Sequence, residues 1–217
     1  MQAERVVLFM IEFPEMPYNK KLEGIQRMQR LVENFAPRLV KSELGDEKLN
    51  ELQKIWKEES EQISPESTDK DKYEIAYKNF LQNWVSANKF MEKHEGEDGV
   101  NKFMRAAIDA WKLQYSNQAL LIKVFGRISS KNAFKMLATR LAYQLQVFSP
   151  YTVSELTDDK MILDIAPCKI IGTRIRNDFC LMACQNIIPA WLEAQFNVKM
   201  NLNPQGGNCT ATFTPFN

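Results

Sequence analysis

The residues best equipped for chemistry are four cysteines, Cys168, Cys180, Cys184 and Cys209, and none precedes them in the chain. Clustered thiols suit a soft metal ion or a nucleophile. Cys180 and Cys184 are four positions apart, which on a helix stacks them on one face, one turn above the other. Both fall near the start of an expected helix, where the positive end of the dipole favours a thiolate. Cys168 is expected to end the strand before that helix, and Cys209 to open the last strand. If the four sulfurs converge, they suit a tetrahedral zinc ion or an iron–sulfur cluster. The spacing C-x11-C-x3-C-x24-C has no C-x2-C knuckle, so a metal-free reactive thiol and inert packing both stay open. The candidate ligands are thus Cys168, Cys180, Cys184 and Cys209, and the candidate nucleophiles Cys180 and Cys184.

Further candidates surround this constellation. Arg174 and Arg176 with Asp178 stand just before the helix, where a carboxylate substrate would meet guanidinium groups and free backbone N–H groups. Read without a substrate, the same residues are a cap and two solvated arginines. Asn186 and Trp191 are expected to line the same side, and Pro189 to release the carbonyl of Gln185 and kink the helix one turn after Cys184. The single histidine, His94, lies in the polar run EKHEGEDG and reads as a solvated loop residue. A lone imidazole argues against Ser-His-Asp or Cys-His machinery within this chain. Gly206-Gly207 is followed by neither a helix nor a lysine, so phosphate-loop chemistry has no support.

The elements that must position these residues follow from hydrophobic period and breakers. Pro14 and Pro17 end a first apolar stretch, and Ile25, Met28, Leu31, Val32 and Phe35 then recur at helical spacing up to Pro37. A third segment carries Leu49, Leu52, Ile55 and Trp56 and runs into the linker-like stretch 64–70. Two helical stripes follow, Tyr73 to Ala87 and Val100 to Tyr115, separated by a glycine-flanked loop, 96–99. A third, Phe134 to Phe148, opens near the capping candidates Ser129 and Ser130. The aromatic residues on these stripes read as core packing.

After Ser149-Pro150 the pattern changes to strands at 151–155 and 160–168, a helix at 179–196, and strands at 198–202 and 209–213. That order predicts an α+β fold: N-terminal helices, then an antiparallel sheet with packed helices. It divides the chain into a helical region, 1–70, and a ligand-binding α+β domain, 71–217.

Composition sets outer bounds. Apolar residues make up 45% and charged residues 25% of the chain, and the net charge is +1. Lysine and arginine alternate with acidic residues throughout, unlike the basic face of a nucleic-acid binder. No apolar run reaches the ~20 residues that span a bilayer. The run VVLFMIEF at 6–13 contains Glu12 and lacks a signal-peptide cleavage pattern, so a cytoplasmic protein with reduced thiols is expected.

The helix carrying Trp111, the strand ending in Cys168, the segment CKIIGTRIRNDFCLMAC and the ending GGNCTATF resemble a known group. It comprises the L-2-amino-thiazoline-4-carboxylic acid hydrolase-like proteins and the broader 4-vinyl reductase small-molecule-binding domains, distantly similar in fold to subunits of the TRAPP tethering complex. The resemblance covers residues 100–216. Tyr115-Ser116-Asn117 departs from it where a glycine is expected. It implies a ligand pocket between helices and sheet, with a cysteine-lined metal site matched by Cys168, Cys180 and Cys209 and with Cys184 as an addition. Two functions follow as expectations. One is a small-molecule-binding protein with a cysteine-held metal centre, hydrolysing a small cyclic C–N or C–S substrate. The other is a non-enzymatic sensor or assembly module whose N-terminal helices contact a partner or a second copy, as in a homodimer.

Overall fold

The computed structural model describes residues 14–121, 130–170 and 179–215, with the backbone alone for 130–133. The apolar run 6–13, Ser129, Arg174, Arg176 and Asp178 lie outside the described residues. The protein is α+β: helices α1 (Tyr18–Leu44), α2 (Asp46–Glu59), α3 (Asp69–Gln114) and α4 (Ser130–Leu145) precede an antiparallel four-stranded sheet. No helix among the described residues is long and apolar enough to cross a membrane.

In α1 the stripe Ile25, Met28, Leu31, Val32 and Phe35 is buried as its spacing predicts. The expected stop at Pro37 does not occur, and the helix runs on to Leu44. Val40, fully buried, carries the apolar stripe past the proline. The carbonyl of Glu33, which Pro37 cannot serve, belongs to an exposed turn where water can take it.

The break expected between the next two stripes is present, but it needs no loop. Gly96, with φ 63° and ψ −141°, is the non-helical position inside α3. The two arms fold back on each other there, so that Trp84 meets Phe103 at 5.5 Å and Trp111 at 6.1 Å between ring centroids. The turn is tight enough that a Cβ on Gly99 would lie 2.3 Å from the Met91 carbonyl oxygen. Lys102 fastens the corner to α1 through Glu43 at 2.6 Å, with Glu95 at 2.9 Å and Asp98 at 3.1 Å. His94 is not a loop residue: it lies within α3, half-buried, its ring 4.6 Å from that of Phe90.

The sheet comprises β1 (Thr152–Leu156), β2 (Met161–Ile165), β3 (Val198–Gln205) and β4 (Asn208–Pro215) in the order β1-β2-β4-β3. Period-two alternation puts Met161 and Leu163 of β2 opposite Phe213 and Ala211 of β4, with Val198 and Met200 of β3 alongside, all buried on one face. The last two strands are longer than expected and close through a two-residue turn at Gly206 (φ 58°) and Gly207, register Gln205↔Asn208. Pro204 is accommodated because β3 is an edge strand.

The helix expected at 179–196 is corrected in kind. Cys180–Ile187 forms a π-helix, which passes into α5 (Ile188–Phe196). Ile188 N–H bonds the Ala183 carbonyl five residues back. Pro189, instead of kinking an α-helix, sits in the first turn of α5, where a missing N–H costs least. Phe179 plugs this segment onto α3, with ring centroids 5.9 Å from Phe80 and 5.8 Å from Trp84.

Candidate functional site

A cavity of about 100 Å3 lies where α1, α3, α4 and α5 meet the buried face of the sheet. Its walls carry Trp111 and Tyr115 from the end of α3, Leu141 and Leu145 from α4, and Trp191 from α5, with Met200 and Phe213 of the sheet behind them. Trp191 meets Trp111 edge-on with centroids 5.2 Å apart and packs on Tyr115 at 5.1 Å. Its indole N–H donates to Gln195 Oε1, and Gln195 Nε2 donates to the Lys112 carbonyl at 2.8 Å. That chain fixes the ring of α5 against the backbone of α3. The Trp111 indole N–H, by contrast, is buried and has no hydrogen-bond partner among the described residues.

Gly24 of α1 and Val147 form another part of the wall. A Cβ on Gly24 would meet Val147 Cγ2 at 2.6 Å, so a side chain there would push α1 away from the segment after α4. Tyr73 O–H donates to the Val147 carbonyl at 2.8 Å and holds that segment from below. Outside the wall lies a larger groove of about 690 Å3, which shares Gly24, Arg27, Gln144 and Val147 with the cavity.

The four thiols form a second feature. Cys209 is buried on β4 opposite Ile165 of β2. Cys168 lies past the end of β2 rather than within it, and its N–H donates to the Gly207 carbonyl at 3.3 Å, which sets it beside the β3–β4 turn. Cys180 and Cys184 share one face of the π-helix. A hydrogen bond with Cys180, burial and the Cys180, Cys168 and Cys209 thiols together hold the Cys184 pKa well above the usual thiol range. Burial, with Cys168 and Cys180 near, pushes Cys209 up to about 11. The Tyr77 hydroxyl is buried close to Cys168 and Cys184 and has no hydrogen-bond partner among the described residues.

The sulfurs therefore gather in one region, and the donor set has the chemistry of a soft-metal site. Yet among the described residues no three of Cys, His, Asp and Glu stand close enough to grip one ion. The expectation of a thiolate at the helix start is reversed for Cys184, because mutual proximity and burial favour the neutral form over the helix dipole, and Cys209 on β4 is held neutral by burial as well.

Of the residues singled out from sequence, Trp191 is the one that lines the cavity. Asn186 is exposed and donates its side-chain N–H to the Leu181 carbonyl, closing a turn of its own π-helix. Arg174 and Asp178 fall outside the described residues. No cysteine is among the cavity-lining residues, so Trp191 and the thiols serve two separate places. Trp111, Tyr115, Leu141 and Arg27 were not marked by sequence as pocket residues. Their helical spacing is the same whether a stripe fills a core or walls a cavity.

No model of a known protein family matches the chain, and no curated protein matches it.

Proposed function

We propose that this chain is a binding module for a small, largely apolar molecule held in the cavity between the helices and the sheet. The observation that carries the reading is the cavity itself. Two tryptophans and a tyrosine converge on space that a packed interior would fill. Empty apolar volume costs roughly 24 cal/mol per Å3, so a ligand filling this cavity would recover about 2 kcal/mol beyond its own transfer from water. The position between helices and sheet is also where the resemblance to the vinyl-reductase-type domains implies a pocket. Two of the four thiols are held neutral, which supports binding over attack by a thiolate.

Isothermal titration with indole, a neutral probe of ring size, tests the reading. Saturable one-to-one binding by the wild type, lost in Leu141→Trp with its fold intact, is expected. Equal binding by both proteins would refute the cavity as the site.

A second reading is that Cys168, Cys180, Cys184 and Cys209 close around zinc or an iron–sulfur cluster; the four thiols lie within electrostatic reach of one another but would have to draw together to grip an ion. Elemental analysis of anaerobically purified protein beside a Cys180→Ser, Cys184→Ser variant tests it. Stoichiometric zinc or iron absent from the variant supports that reading, and a metal-free wild type rejects it.

A further inference from the structure

The groove outside the cavity has a chemical sign. Lys20, Arg27, Lys135 and Arg140 line it, with Glu23 as the carboxylate among its lining residues. Glu23 is engaged by Lys20 at 2.9 Å, so it does not neutralise the arginines. Arg140 Nε donates to Gln118 Oε1 at 3.2 Å, an uncharged partner. Arg27 has no ion-pair partner among the described residues. It lines both the groove and the cavity, and thus stands at the passage between them. The charge here is local, since the whole chain carries only +1.

Arg27 and Gln144 are the polar residues shared by groove and cavity, and Arg27 is the charged one. A guanidinium has five N–H donors and no acceptor, and an indole has one donor and no acceptor. The Trp111 N–H lies behind the apolar wall: it is buried, closed to a water-sized probe, and has no protein partner among the described residues. Burial raises the Tyr115 phenol above its ordinary pKa, while Arg27 and Arg140 pull it back. Both guanidinium groups are therefore within electrostatic reach of a ring that packs on Trp191. Apolar walls, with Arg27 at the mouth and Arg140 in the groove beyond it, define a ligand with an apolar body and a negatively charged head.

We infer that the ligand is a small amphipathic carboxylic acid, with a ring-sized or branched apolar body in the cavity and its carboxylate at the mouth facing Arg27 and Arg140. This rests on the binding role proposed above and names the class of molecule bound. The space here, about 100 Å3, is smaller than the cavity of about 150 Å3 that holds benzene in an engineered protein, so the ligand is limited to one ring that reaches toward the groove with its head outside. Carboxylate and guanidinium pair through two parallel hydrogen bonds, which an ester cannot reproduce.

The test is a titration of the full chain with phenylacetate, 3-phenylpropanoate and 4-phenylbutanoate, each beside its methyl ester, followed by calorimetry and by tryptophan fluorescence. At least one acid should bind tenfold or more tightly than its ester. Arg27→Gln should erase that preference, bringing acid and ester to equal affinity, and Arg140→Gln should reduce it. Arg27 is exposed on α1, so the substitution leaves the core intact. Equal affinity for acids and esters in the wild type would overturn the inference and leave the cavity's binding role standing. Failure of every acid and ester to bind, together with failure of indole, would overturn both.

Discussion

Trp111 of α3 and Trp191 of α5 meet edge to face, their ring centroids 5.2 Å apart and their planes at 83°. This contact joins the helical hairpin to the helix that leads into β3, and it forms one wall of the cavity. Tyr115 and Phe196 flank Trp191 at 5.1 and 5.4 Å. Trp191→Ala is therefore expected to lower stability by about 3 kcal/mol and to change the affinity for ring-sized probes. Urea unfolding should show a lower midpoint with an unchanged slope. An alanine variant with wild-type stability and affinity would show that this contact does not hold the wall.

Gly24 reports on the opposite wall. Its missing side chain makes room for Val147, whose β-branched side chain has little rotamer freedom with which to move aside. Gly24→Ala should cost roughly 1–3 kcal/mol by overpacking. Val147→Ala in the same molecule should recover most of that loss, because the clash is with the Val147 methyl groups. Additive losses in the double variant would place the strain elsewhere.

The hairpin corner makes a separate demand. Gly96, at φ 63° and ψ −141°, occupies backbone space that L side chains enter at a cost of about 1–3 kcal/mol. Gly96→Ala should destabilise by that amount. Gly99→Ala should do at least as much damage, since its Cβ would strike the Met91 carbonyl. Thermal unfolding of both variants decides this. A neutral Gly99→Ala would contradict the close approach of the two arms.

Alkaline pH should unfold the protein. Burial raises the phenol pKa of Tyr73, Tyr115 and Tyr151, the last to about 12. A group whose pKa is higher folded than unfolded contributes fully below its unfolded value, near 10 for tyrosine, and loses that contribution as pH rises through the folded value. Stability should thus fall between about pH 10 and 12, with tyrosinate absorbance at 295 nm appearing in step with the loss of helical signal. Full tyrosinate absorbance from an intact fold would contradict the buried environments.

Much of the architecture could be read from residue order. The stripe of α1 and the presence of strands at β2 and β4 follow from local period, whereas the Gly206-Gly207 turn is tighter than the connection over 203–208 that the residue types suggest. Other features depended on partners distant in sequence. Pro37 fails to stop α1 because Val40 is buried against the rest of the core, and the π-helix at Cys180–Ile187 sits where Phe179 is wedged between Phe80 and Trp84. The candidate site was legible only in part. Trp191 was marked, but the apolar stripe through Trp111 and Tyr115 carries no sign in its spacing that part of it faces empty space. Arg27 is one cation in a sequence of alternating charges until the fold sets it beside Arg140.

The four tryptophans allow one direct measurement of whether the cavity is the binding site. With 5-fluorotryptophan incorporated, each indole gives its own 19F resonance, assigned by single Trp→Phe substitutions. Trp111 and Trp191 line the cavity, whereas Trp56 lies on α2 with its N–H bonded to Ser86 at 2.9 Å. Titration with indole or an arylalkanoic acid should shift the Trp111 and Trp191 resonances saturably and leave Trp56 in place. Unmoved Trp111 and Trp191 signals at saturating ligand, or a shift confined to Trp56, would contradict binding in the cavity.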